Sequence, residues 1–326
     1  TASSIFIFSQ NCDILVAAFI KEGHMELLYI LESVRAPVLN SIMYGITCLG
    51  DEVLFMAFAL TIYWCVSKRQ GYYIFATGML GTLVNQGMKL WFHIPRPWLL
   101  DPDFTIVEAA RAGAEGFSFP SGHTQNAVGT FGAVFICNKQ KWLRILCLAA
   151  IILVPFSRMY LGVHTPMDVG VAFAIAVFFL ILLYPVFKND ERSEKYAPYV
   201  LVFLIVAAVV YLVYVFGHPF AQDVYNDPDS NLQHGIHNGF SMLGAMLGFL
   251  AAYFFDSRVT NFDVKAPLIG QILKVALGLG LIIAVKGVLK TPLLALFNGS
   301  ELATALRYFL MVVFGGCIWP MTFPFF

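Results

Sequence analysis

Three short groups of polar residues interrupt a strongly apolar sequence, and together they could bind an anion. The groups are Lys89 with Arg96 and Pro97, the run Pro120-Ser121-Gly122-His123, and Ser157 with Arg158, His164 and Asp168. Ionisable residues beside apolar spanning helices are costly, and they usually serve a function. Neighbouring cations repel one another, so a multiply charged anion is their natural partner, and arginine matches two phosphate oxygens at a time. The pattern therefore predicts a phosphate-binding site.

The second group has the features of a helix start. Ser121 follows a proline and precedes an apolar run, so it is placed to cap the first turn of a helix. The unpaired backbone N–H groups and the positive end of the helix dipole would then point at the anion. Gly122 has no side chain and would let a phosphoryl oxygen approach the backbone closely.

The two histidines of these groups suit different roles. His164 precedes Asp168 by four residues, and Pro166 stands where a helix would begin. A carboxylate bonded to one imidazole nitrogen fixes the tautomer and leaves the other nitrogen as a nucleophile. His123 is then free to protonate a leaving oxygen. Because phosphoryl transfer needs mainly positioning and charge neutralisation, we expect this chemistry without a metal or a cofactor.

These groups resemble the three signatures of the type 2 phosphatidic acid phosphatase superfamily, which includes vanadium haloperoxidases and glucose-6-phosphatase. The patterns K-x6-R-P, P-S-G-H and S-R-x5-H-x3-D are each matched without departure, within a resemblance over roughly residues 50–187. The resemblance implies a phosphohistidine on His164, a general acid in His123 and an orienting role for Asp168. The phosphate ligands that it implies are Lys89, Arg96, Ser121, Gly122 and Arg158.

The elements that position these residues are predicted to be membrane helices. Of the 326 residues, 59% are hydrophobic and 12% are charged, which is about half the charged fraction of a soluble domain. An amphipathic helix over 26–47 is expected to lie at the membrane interface. About nine spans follow, at roughly 53–67, 71–91, 122–138, 143–160, 168–187, 197–217, 239–255, 268–286 and 306–324. The predicted fold is an all-α, polytopic transmembrane helical bundle with a phosphatase core and additional C-terminal spans.

Basic residues in alternate connectors orient this bundle. They are Lys68, Arg69, Lys139, Lys141, Arg144, Lys188, Arg192, Lys195, Arg258 and Lys265. All of them fall on one face if the spans alternate, and the positive-inside rule makes that face cytoplasmic. The three motifs then lie on the extracytoplasmic face of an integral membrane protein, which we expect to be in a bacterial cell membrane.

Three segments are predicted along the chain. Gly23-His24-Met25 resembles a cloning junction, so residues 1–24 are expected to be a vector-derived segment or a processed leader. Residues 25–187 form the predicted phosphatase core. Residues 188–326 are an additional transmembrane region of unknown role, in which the small-xxx-small spacing of Gly244 and Gly248 favours close helix packing and a homo-oligomer. The acidic 218–238 connector and its histidines could hold a metal, but a solvated loop is the favoured interpretation.

Several functions remain open at this stage. The leading one is a lipid phosphate phosphatase that acts on a phosphatidylglycerophosphate, a phosphatidic or lysophosphatidic acid, a sphingoid phosphate or a polyprenyl diphosphate. A lipid phosphotransferase would use the same intermediate with another alcohol as the acceptor. A transporter or flippase for a phosphorylated lipid is the alternative from another class, although no internal repeat supports it. The expected partners are the lipid substrate and membrane lipids, whereas zero net charge argues against nucleic acid.

Overall fold

The computed structural model describes residues 25–114, 116–218 and 231–326, and regular structure in these ranges is helical throughout. The longer helices are α1 (25–33), α2 (Pro37–Thr47), α3 (Glu52–Cys65), α4 (Lys68–Phe92), α5 (Gly122–Cys137), α6 (Lys141–Tyr160), α7 (Pro166–Phe187), α8 (Asp190–Gly217), α9 (Asn231–Phe255), α10 (Leu268–Leu296) and α11 (Leu302–Val313). The all-α prediction is confirmed. The expected leader at 1–24 and most of the acidic connector lie outside the described residues.

The N-terminal amphipathic segment is two helices, so the prediction of one helix over 26–47 is wrong. Pro37 is the first residue of α2, and Ala36 before it is extended, with φ −141°. Proline lacks a backbone N–H and disfavours a helical conformation of the residue before it, so the helix stops at this point. On α1, Leu28 is buried whereas Tyr29 and Ile30 are exposed, which leaves an apolar surface beside the buried one.

Six described helices are long and apolar enough to cross a membrane, or seven if the bent pair Pro37–Gly50 and Glu52–Cys65 counts as one span. Each of the nine predicted spans overlaps a helix in the structure, but the helices at 71–91 and 122–138 are not among these candidates, and the helix at 53–67 is included only through the bent pair. Helix α5 is too short to count as a spanning helix, because it has 16 residues. Its buried face includes Gln125, Asn126 and Thr130. A helix with buried polar side chains and little apolar length is surrounded by protein rather than by lipid.

The described chain divides into two compact units, and all three motifs lie in the first. That unit runs to Phe55 and resumes over Val84–Phe179. Its hydrophobic clusters include Tyr160, Leu161 and Val163, which pack with Ala110 and Ala114. The turn that carries the third motif is therefore part of a hydrophobic core.

The second unit comprises Met56–Leu83 and Leu180–Phe326. Phe75 and Phe249 stack with ring centroids 3.8 Å apart. The predicted close packing at Gly244 and Gly248 occurs within the chain: a Cβ on Gly244 would collide with the carbonyl of Ala305, and one on Gly248 would lie 2.8 Å from Val312 Cβ. These glycines thus bring α9 against α11, and self-association of the chain stays a prediction.

Candidate active site

His164 lies in the turn between α6 and α7, and its side chain is almost completely buried. Its Nδ1 atom is 3.4 Å from Asp168 Oδ2, and its Nε2 atom is 2.8 Å from Arg96 Nη1. The predicted proximity of His164 and Asp168 is therefore present in the structure. When Nδ1 carries the hydrogen and donates it to the carboxylate, the lone pair of Nε2 points at the Arg96 guanidinium.

The Asp168 carboxylate is fixed by two residues that the sequence did not single out. The backbone N–H of Thr165 donates to Asp168 Oδ2 over 2.7 Å, and the Asp168 N–H donates to Thr165 Oγ1 over 3.2 Å. This reciprocal pair is a capping box at the start of α7. Ser118 Oγ also donates to Asp168 Oδ2, over 2.6 Å. The orientation of the carboxylate is thus set by local backbone geometry and by a neighbouring loop.

Arg96 is 4% exposed and is held by backbone carbonyls. Its Nε donates to Gly116 O and its Nη1 donates to Val163 O, each over 3.0 Å. Val163 directly precedes His164, and Gly116 lies four residues before Pro120 of the second motif. Arg96 of the first motif therefore binds the turn of the third motif and the loop that precedes the second.

Arg158 occupies the last turn of α6 and is 1% exposed. Its Nη1 donates to Thr47 Oγ1 over 3.0 Å, and its Nη2 donates to Gly113 O over 3.2 Å. Its Nε is buried and has no hydrogen-bond partner among the described residues. A buried donor of this kind is costly unless a ligand satisfies it, and an anion bound beside Arg158 would do so.

The N-terminus of α5 has the capping geometry expected from the sequence. Ser121 is the N-cap residue, and its Oγ accepts from the Thr124 N–H over 3.4 Å. The serine hydroxyl can still donate its own hydrogen to an anion. A Cβ placed on Gly122 would have no atom of the described residues within 4 Å, which leaves space for a ligand before this backbone. A Cβ on Gly113 would lie 3.7 Å from His123 Nε2, which places the glycine next to that imidazole.

Electrostatic coupling joins the remaining site residues to this arrangement. His164 is within electrostatic reach of Arg96, Arg158, Lys89 and His123. Burial, reinforced by these cations, holds the pKa of His164 well below its usual range. Burial also lowers the pKa of Arg96 to about 10, so this arginine remains a cation at neutral pH. The site therefore combines a neutral imidazole with fixed positive charge.

All eight residues predicted for the site lie in the first unit, on α4, α5, α6, α7 and the loops between them. Sequence reasoning missed Ser118, Thr165, Thr47 and the carbonyl of Gly113. Thr165 carried a usable signal, because threonine three residues before an acid at a helix start is typical of a capping box. In the described ranges, no three His, Cys, Asp or Glu side chains come together as a metal-binding group.

The fold and the site indicate an integral membrane protein with a buried group of cations and histidines. Residues 69–192 match the PAP2 superfamily, and residues 240–326 match the description "PAP2 superfamily phosphatase, transmembrane extension". The chain thus contains a PAP2 superfamily domain followed by a PAP2 transmembrane extension, and the resemblance inferred from the three motifs is confirmed. The additional C-terminal region, whose nature the sequence left open, contains the transmembrane extension of these phosphatases.

Known proteins similar to this chain include several lipid phosphatases. Phosphatidylglycerophosphatase B of Bacillus subtilis is 29% identical over 177 residues, which are 50% of this chain and 81% of that protein. Sphingosine-1-phosphate phosphatase 1 of Rattus norvegicus is 24% identical, with 79% of this chain and 62% of that protein covered. The solved transmembrane PAP2 type phosphatidylglycerolphosphate phosphatase of Bacillus subtilis is 25% identical, with 56% of this chain and 94% of that chain covered and a TM-score of 0.42. The names of these relatives describe phosphatases that act on lipid phosphates, in agreement with the phosphatase family that the two matched segments indicate.

Proposed function

We propose that the protein hydrolyses a phosphomonoester or diphosphate of a lipid through a phosphohistidine intermediate on His164. The observation that carries this proposal is the orientation of the imidazole. Asp168 lies on its Nδ1 side and Arg96 on its Nε2 side. An imidazole held in this way presents a nucleophilic nitrogen to any anion that Arg96 binds.

In the first step, the terminal phosphate binds among cations and helix N–H groups. The proposed ligands are Lys89, Arg96, Ser121, Gly122 and Arg158. His164 Nε2 attacks phosphorus, so that a P–N bond forms while the bond from phosphorus to the lipid oxygen breaks. His123 donates a proton to that leaving oxygen. Asp168 stabilises the positive charge that develops on the imidazole of His164.

In the second step, a water molecule attacks the phosphohistidine. His123, which has lost its proton, accepts one from this water, and the P–N bond breaks to release inorganic phosphate. The cations neutralise the equatorial oxygens in both steps, which is the main requirement of phosphoryl transfer. Every step is assigned to a side chain or a helix terminus of this chain, and none is assigned to a metal or a cofactor.

The substrate is proposed to be a lipid phosphate of the extracytoplasmic leaflet. The relatives support a panel that contains phosphatidylglycerophosphate, sphingosine 1-phosphate and undecaprenyl diphosphate, since proteins named for these substrates are similar to this chain. The basic connectors support the location, because they would place the motifs opposite the cytoplasm. Bacterial origin is part of the same proposal.

Phosphate release from this lipid panel by the purified protein tests the proposal. We expect release from at least one lipid, loss of release in His164→Ala, and retention in His93→Asn. His93 is a matched control because it lies within the first motif and packs edge-on against Phe117. Its φ of 51° is a conformation that asparagine tolerates. Release at the wild-type rate from His164→Ala would exclude the phosphohistidine route, and no release from any lipid would exclude the substrate class.

A further inference from the structure

We infer that Arg35 is a positioning residue for the reaction, because it connects the N-terminal segment to the turn between Arg158 and His164. This inference rests on the proposed function, in which those two residues bind and attack phosphate. Arg35 belongs to none of the three motifs and lies in the break between α1 and α2. The structure nevertheless directs its guanidinium inward, at the backbone of the third motif.

The Arg35 guanidinium joins two loops of the first unit. Its Nε donates to Tyr160 O over 2.9 Å, and its Nη1 donates to Thr105 O over 2.8 Å. Glu32 Oε1 lies 3.7 Å from Arg35 Nη1 and also accepts from the Thr105 N–H over 2.9 Å. Two backbone carbonyls and one carboxylate thus fix the position of the guanidinium.

The turn is shaped to fit against this arginine. Gly162 has φ +81°, a conformation that favours glycine. A Cβ on Gly162 would lie 2.7 Å from Arg35 Nη2 and 3.0 Å from the ring of Phe104. The glycine therefore provides both the backbone conformation and the space for the guanidinium.

A second contact holds the same turn from the same N-terminal segment. The Tyr160 hydroxyl donates to Asn40 Oδ1 over 2.9 Å and accepts from the Ala36 N–H over 3.3 Å. Arg35 binds the carbonyl of Tyr160, whereas Asn40 and Ala36 bind its side chain. Tyr160 is 1% exposed, so these bonds lie in a well-packed region.

The position of this turn sets the distance between two groups that must act on one phosphate. Arg158 precedes Tyr160 by two residues, and His164 follows Gly162 by two. The Val163 N–H donates to Arg158 O over 3.1 Å, which closes the turn between them. A misplacement of about 1 Å in a reacting group can slow a reaction roughly 100-fold. Release of the Tyr160 carbonyl is therefore expected to reduce turnover without removing any group that touches the substrate.

The test compares Arg35→Ala and Arg35→Lys with Arg69→Ala in the purified full-length protein. Arg69 is a matched control because it also donates to backbone carbonyls, to Phe187 O over 2.7 Å and to Lys188 O over 3.3 Å. The hydrogen-bond partners of Arg69 in the described part of the chain are Phe187, Lys188 and Asp190, and none of these is a predicted site residue. The readouts are kcat, KM and the inhibition constant of vanadate. Loss of folded protein lowers the apparent kcat alone. Altered geometry of the bound anion also raises the inhibition constant of vanadate.

We expect Arg35→Ala to lower kcat/KM by about 10- to 100-fold and to raise the inhibition constant of vanadate by a similar factor. For Arg35→Lys, both values should lie between those of Arg35→Ala and the wild type, because one ammonium group cannot reproduce the planar guanidinium with its several donors. If Arg35→Ala does not fold, Arg35→Lys decides the matter with the same readouts. Unchanged vanadate inhibition in the folded variants, or an equal effect of Arg69→Ala, would overturn the inference. The wild-type protein would still release phosphate in that case, so the proposed function would stand.

Discussion

Replacing Asp168 with asparagine isolates the charge of the carboxylate from its geometry. Asp168 Oδ2 accepts from Ser118 Oγ and from the Thr165 N–H. Two donors at one oxygen position require the amide oxygen of asparagine to occupy it, because the amide nitrogen cannot accept. The same oxygen faces His164 Nδ1 at 3.4 Å, so the tautomer of the imidazole should be kept. The variant therefore removes the negative charge while the hydrogen-bond pattern remains.

The size of the effect follows from that distance. A unit positive charge on the phosphorylated imidazole, 3.4 Å from the carboxylate, is stabilised by about 5 kcal/mol at an effective dielectric constant of about 20. Since about 1.4 kcal/mol corresponds to a factor of ten, loss of the charge should lower kcat by roughly 10³- to 10⁴-fold. The assay is phosphate release by the purified variants, with thermal unfolding as the measure of folding.

Asp168→Ala is the informative comparison. It removes the charge and also leaves the tautomer undetermined, so it should be at least as slow as Asp168→Asn. An Asp168→Asn variant within tenfold of the wild type would show that the charge contributes little to the reaction. An Asp168→Asn variant much slower than Asp168→Ala would show that the amide imposes the wrong tautomer, and the reasoning from the two donors would then be refuted.

Four further predictions concern pH, inhibition, packing and orientation. Burial and nearby cations lower the pKa of His164, so its neutral form persists below the ordinary value of about 6.5. The fall of kcat/KM in acid that is due to this group should therefore occur below that pH. A fall at or above that pH would contradict the lowered pKa. Vanadate should inhibit and EDTA should not, and activity lost in EDTA and restored by a divalent cation would contradict the metal-free mechanism. Gly244→Leu should strongly lower thermal stability because the new side chain collides with Ala305. Gly280→Leu should not lower it, because a Cβ at Gly280 meets no described atom within 4 Å. Equal stability of the two variants would be evidence against the α9–α11 contact. Asp103→Cys should react with an impermeant thiol reagent in intact cells and Lys265→Cys only after lysis, and the reverse pattern would invert the proposed topology.

The positions of the charged groups could be predicted from the sequence because their residue types are rare in an apolar chain. Lys89, Arg96 and Arg158 stand out against the apolar background, and a spacing of four residues was enough to pair His164 with Asp168. Hydroxyl groups outside a capping position gave no such contrast. Ser118 and Thr47 are ordinary polar residues until the fold brings them to a carboxylate and a guanidinium, and those contacts join segments that are distant in sequence.

Arg35 shows how the break in the N-terminal helix changes the direction of a side chain. The single helix expected over 26–47 would continue through this arginine without a turn. The break before Pro37 interrupts that helix, and the chain turns so that the guanidinium reaches Tyr160 and Thr105. The direction of a side chain next to a helix break depends on the tertiary contacts of the turn, which the local pattern does not contain.

The polar residues of α5 bear on how the protein is made. A segment of 16 residues that carries Gln125, Asn126 and Thr130 gains little from leaving water for lipid on its own. Helix α6 follows after the three residues 138–140 and is long and apolar enough to cross a membrane. We therefore expect the two helices to insert together, as a helical hairpin in which the apolar α6 compensates for the polar α5. Insertion of α5, whose N-terminus is proposed to bind phosphate, would then wait until synthesis has passed Tyr160, where α6 ends.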